Sequence, residues 1–80
     1  MRVVAEIPNS QFKITVFCWN QKYLLKIEQG LLEQTYKINE ADVKNDAEIR
    51  RIVLDGEFMH EVSLRFDEMG GSVFRALDRL

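Results

Sequence analysis

The stretch FKITVFCWNQKYLLKIEQG, residues 12–30, decides the fold. Its apolar residues alternate: Phe12, Ile14, Val16 and Cys18 lie before Asn20-Gln21, and Tyr23, Leu25 and Ile27 lie after it. Successive side chains of a strand point to opposite faces, so this period of two describes two half-buried strands. Asn20 tolerates a positive φ better than most residues and Gly30 adopts it freely, which marks a hairpin turn near each. A two-residue turn at Asn20-Gln21 sets Cys18 opposite Tyr23, Val16 opposite Leu25 and Ile14 opposite Ile27.

The same arithmetic extends to both sides. A four-residue loop over Pro8 to Gln11 sets Ile7 opposite Phe12, Ala5 opposite Ile14 and Val3 opposite Val16. A turn at Gln29-Gly30 sets Ile27 opposite Leu32, Leu25 opposite Gln34 and Tyr23 opposite Tyr36. Three hairpins, placed by their turn residues alone, direct one nearly apolar face inward. On the other face Lys13 falls between Glu6 and Glu28, and Lys26 falls opposite Glu33. Opposite charges across strands contribute roughly 0.2–1 kcal/mol each. A slip of one residue would turn the apolar set into water. The expectation is a four-stranded antiparallel meander at about 2–7, 12–19, 22–28 and 31–38.

From Asn39 onward the period changes to that of helices. Asn45 reads as an N-cap with Glu48 placed to reach back to it, opening a helix over about 46–54 that buries Ile49, Ile52 and Val53. Asp55 caps a second helix, in which Met59, Val62, Phe66, Met69, Val73, Ala76 and Leu80 recur at steps of three and four. Gly70-Gly71-Ser72 cuts across that stripe, and each interior glycine costs about 1 kcal/mol relative to alanine. The reading therefore favours a break, with helices over about 57–69 and 73–79. Helices with apolar stripes following a sheet with one apolar face give an α+β two-layer sandwich, a single domain over residues 1–80.

Composition narrows the function classes. Eighty residues, 46% hydrophobic and 30% charged, suit one globular domain with a small core and no room for a deep active site. No apolar run approaches the ~20 residues a membrane-spanning helix needs. Glu6 interrupts what would be the apolar region of a signal peptide. Cys18 stands alone and has no disulfide partner within the chain. Both observations point to the cytoplasm. The net charge of −2 is unlike that of a globally basic nucleic-acid binder.

No constellation for catalysis emerges. His60 is the sole histidine and lies off the apolar stripe, without a second ligand at metal-binding spacing. Cys18 alternates with Val16 and Ile14 as a small apolar residue, with no base to activate it. The four glycines match no phosphate-cradling motif, and the acids lack calcium-loop spacing. The sequence assigns no catalytic residue, no metal ligand and no cofactor.

One surface draws interest. Residues 1–38 carry five bases and three acids, a net +2, whereas residues 39–80 carry a net −4. The alternation that buries Val16 and Leu25 turns Phe17, Trp19 and Leu24 outward, with Val4 one strand away and Arg2, Lys13, Lys22, Lys26 and Lys37 around them. Aromatics clustered on a face no helix covers make a candidate interaction patch: Val4, Phe17, Trp19, Leu24, Lys13, Lys22 and Lys26. The expected function is that of a small non-enzymatic protein-interaction or homodimerisation domain, working through this face or an edge strand. The partner would be another protein or a second copy. Single-stranded nucleic acid on the same face is the alternative; the three glutamates facing the lysines, and the lack of an aromatic-basic motif, count against it.

Overall fold

Asn20 and Gln21 both hold positive φ, 53° and 62°, in the computed structural model, which describes residues 1–80. That geometry has the twist of the flanking strands and needs only two residues to reverse the chain. The strands are β1 (Arg2–Ile7), β2 (Lys13–Trp19), β3 (Lys22–Gln29) and β4 (Leu32–Asn39), an antiparallel sheet in the order β1-β2-β3-β4. Between β2 and β3 the register is the expected one: Cys18 faces Tyr23, Val16 faces Leu25 and Ile14 faces Ile27.

The other two hairpins keep the expected buried face at Ala5 and Ile7 and along β4 but slide by two residues. Between β3 and β4 the turn is Gly30-Leu31, so that Ile27 faces Gln34 and Leu25 faces Tyr36. Gly30 carries the positive φ of 60°, and a hairpin turn with one such residue places it first. Between β1 and β2, Ala5 faces Val16 and Ile7 faces Ile14. The Asn9 carboxamide causes this slide. Its Oδ1 accepts the N–H groups of Gln11 at 2.8 Å and Phe12 at 3.1 Å, drawing Phe12 into the loop. Phe12 then stacks on Phe66, with ring centroids 5.4 Å apart.

A bulge between Val3 and Ala5 corrects the outer end of β1. The extra residue, Val4, packs against the core, while Val3 pairs with Phe17 and is 56% exposed. An inserted residue shifts the alternation by one, so Val3 and Val4 exchange their expected faces. Arg2 exchanges too. It pairs with Cys18 and reaches Asp46 at 3.8 Å, on the helical side of the sheet.

After a 3-10 turn at Glu40–Asp42 come α1 (Asp46–Leu54) and α2 (Gly56–Asp78). Both expected caps form: Asn45 Oδ1 accepts the Glu48 N–H at 3.1 Å, and Asp55 Oδ1 accepts the Glu57 N–H at 3.0 Å. Glu48 reaches back one residue further than expected, to the Lys44 N–H at 2.7 Å. The expected break at Gly70-Gly71 is absent, and α2 runs through for 23 residues. Neither glycine holds positive φ, and a break would require a new helix nucleus at a cost larger than two unfavourable interior positions. A side chain at Gly70 would rest against Leu32 Cδ1, which marks where α2 crosses β4.

The largest fully buried side chains are Phe66, Leu25, Ile27, Ile49, Val16 and Val62, from β2, β3, α1 and α2. Removing each from water contributes about 1.5–3 kcal/mol, the main force closing the two layers. Both helices lie on this one side of the sheet. Neither helix is long and apolar enough to cross a membrane.

Candidate functional site

The face that the helices leave open is built by strand alternation alone. Across it runs a row formed by Val3, Phe17, Leu24 and Lys37, each opposite the next on successive strands. Beside it runs a second row, Trp19, Lys22 and Asn39. Trp19 is 55% exposed, while Phe17 and Leu24 are half-buried against their neighbours on the sheet. Large apolar side chains thus crowd toward one end of the open face, near the β2–β3 turn.

Charge divides the face along the strands. At the far end Lys13 lies opposite Glu28, and the Lys26 ammonium sits 4.0 Å from Glu28 and 3.9 Å from Glu33. Glu28 and Glu33 are directly opposite each other, so Lys26 bridges two like charges. Lys22 and Lys37, beside the apolar row, form no ion pair. The basic character of the face is therefore concentrated around Trp19, Phe17 and Leu24.

Of the residues expected in the patch, Phe17, Trp19, Leu24 and Lys22 come together at this end. Lys13 and Lys26 share the face but belong to its charged end. Val4 is replaced by Val3, because of the bulge, and Lys37 completes the row. No pattern of residue types announces the bulge; the only hint is the run Val3-Val4-Ala5, apolar at three consecutive positions where strict alternation wants a polar one.

A second polar cluster lies at the rim of the inner face. The Cys18 thiol donates to Glu40 Oε1 at 2.8 Å, and the Tyr23 hydroxyl donates to Asp46 Oδ1 at 2.5 Å. The bond to the Glu40 carboxylate pushes the Cys18 pKa up, burial adds to this, and Arg2 opposes it. Tyr23 is pushed up to about 12, chiefly by its bond to Asp46. A thiol held protonated is a poor nucleophile. The cluster fastens the 40–46 connector to the sheet. His60 is exposed on α2, and no group of three or more His, Cys, Asp or Glu side chains is placed to hold a metal ion. Compared with known protein families, with curated proteins and with solved structures, the chain matches none of them.

Proposed function

We infer that this is a non-enzymatic protein-interaction domain whose contact surface is the Trp19 end of the open sheet face. The observation that carries the reading is the row Val3–Phe17–Leu24 beside the exposed Trp19, on a face without covering helices and next to two lysines without ion-pair partners. Aromatic anchors in an apolar centre with charges at the rim are the composition of protein contact surfaces. The chemistry selects a partner that offers an apolar segment with carboxylates spaced to meet Lys22 and Lys37. A cytoplasmic setting fits the lone thiol of Cys18.

Affinity capture on the full chain, compared with Trp19→Ala and with Lys22→Glu, tests this. The expected result is a protein retained by the wild type and lost by both variants, whose folding is unchanged by circular dichroism. Identical retained proteins on all three would overturn the reading. Salt-sensitive quenching of Trp19 by single-stranded RNA, with no retained protein, would replace it with the nucleic-acid alternative.

A further inference from the structure

β4 is a sheet edge whose backbone groups point at solvent in an unbroken row. Gln29 and Leu32 flank the two-residue turn and exchange hydrogen bonds, and antiparallel alternation then assigns Leu32, Gln34, Tyr36 and Ile38 to β3. The Glu40 N–H donating to the Gln21 carbonyl at 3.1 Å continues the same alternation. The N–H and C=O groups of Glu33, Thr35 and Lys37 are left facing outward. The opposite edge is different: β1 is bulged at Val4 and stopped by Pro8, two devices that block strand addition. β4 has neither.

The sequence of β4 is complementary to itself about Thr35. We propose that β4 pairs antiparallel with β4 of a second copy across a two-fold axis at Thr35, joining two sheets into one. Thr35 then meets Thr35 of the other copy, Glu33 meets Lys37, Gln34 meets Tyr36 and Leu32 meets Ile38, each of the last three pairs occurring twice. The positions so paired include Glu33, Thr35 and Lys37, whose backbone groups are the free ones. Lys37 gains the carboxylate it lacks, and Glu33 gains a cation to offset the like charge of Glu28 opposite it. A register slipped by two residues in either direction loses both ion pairs, and a parallel arrangement in register sets Glu33 against Glu33. Half-buried Leu32, Tyr36 and Ile38 supply the apolar contact on the inner side.

The helical layer follows the same symmetry. Phe58 packs on Tyr36, Val62 receives Gln34 and Gly70 lies by Leu32, so α2 runs antiparallel to β4. The two-fold therefore sets the two α2 helices antiparallel and side by side. It also places both Trp19 patches on one surface of the joined sheet. Self-pairing goes beyond the contact reading above and shares only Lys37 with it; Trp19, the anchor of that reading, lies on β2, away from the β4 edge.

Sedimentation velocity of the full chain over a rising concentration series tests the pairing. A reversible monomer–dimer equilibrium is expected. Lys37→Glu sets two carboxylates opposite each other at both ends and weakens the dimer about tenfold or more. Combining Glu33→Lys with Lys37→Glu restores opposite charges and returns the equilibrium to near wild type. Thr35→Pro removes the N–H at the axis, at a position where an edge strand accepts proline, and leaves only monomer. Trp19→Ala leaves the equilibrium unchanged. If Thr35→Pro fails to fold, the charge exchange decides alone. A monomer at every concentration overturns the proposal, as does a dimer that Lys37→Glu does not weaken. A dimer lost in Trp19→Ala also overturns it, by assigning self-association to the open face.

Discussion

Gln34 of β4 donates its Nε2–H to the backbone carbonyl of Val62 on α2, 2.9 Å away in the buried layer. Its Oε1 accepts from the Tyr36 hydroxyl, which in turn accepts from Arg65 Nη1 at 2.8 Å. Sheet and helix are thus tied by a polar chain as well as by apolar packing. Gln34→Ala removes the middle of that chain, two hydrogen bonds each contributing about 0.5–1.5 kcal/mol. Urea denaturation monitored by Trp19 fluorescence measures it. A loss no greater than that of Gln29→Ala, exposed on the same hairpin, would count against the role assigned to Gln34.

The two glycines inside α2 are an opportunity for stabilisation. A methyl group at Gly70 would lie 3.6 Å from Leu32 Cδ1, an ordinary contact, so Gly70→Ala is expected to stabilise the fold by about 1 kcal/mol through helix propensity. Gly71→Ala must push the Arg75 guanidinium aside, since its Nη1 would be 3.0 Å from the new Cβ. That group is the free end of a flexible side chain, so a smaller gain is expected. Thermal unfolding of both variants checks this; a lowered midpoint for Gly70→Ala would mean that α2 does not run straight through.

At the β2–β3 turn Gln21 holds φ of 62°, a conformation disfavoured by its Cβ. Gln21→Gly supplies the Asn-Gly pair that such turns prefer and is expected to stabilise by about 0.5–1 kcal/mol, since glycine's added freedom in the unfolded chain offsets part of the relief. The same substitution at Asn20 yields less, because asparagine already tolerates this region. Paired denaturation curves of the two variants decide the order.

Alkali is expected to loosen the 40–46 connector. The native Tyr23 hydroxyl titrates at about 12 rather than 10.0, so its bond to Asp46 stabilises the fold fully below 10 and is lost as pH rises through 12. Cys18, raised from 9.0 by Glu40, acts in the same direction from a lower starting point. Stability measured against pH should decline over this window, and less steeply in Tyr23→Phe. An identical slope in that variant would remove Tyr23 from the account.

The meander was legible because its information is local and periodic. Asn20-Gln21 and the alternation around it determined both face and register of the central hairpin, and a slide of two residues in the neighbouring hairpins left the inward face unchanged along β4 and at Ala5 and Ile7. Where the structure departs from the periodic pattern, single residues acted out of period, and Gly30 took the first rather than the second turn position. Asn9 captured the Phe12 N–H, Val4 slipped an extra residue into β1, and Gly70 stayed within an intact helix. Of these three, the first is a local turn, the second a strand irregularity and the third a packing event, and none leaves a periodic trace. The residues of the open face were legible to the same extent as the strands: the outward placement of Phe17, Trp19 and Leu24 follows from parity, and Val3 stands there in place of Val4 because parity breaks at the bulge.

That bulge has a consequence for how far association through strand edges can proceed. With β1 bulged at Val4 and ending before Pro8, each copy presents one open margin and one blunt margin. In the proposed pairing, growth by strand addition is consequently self-limiting: two chains consume both open margins, and the blunt ones offer no template for a third chain or for a fibril.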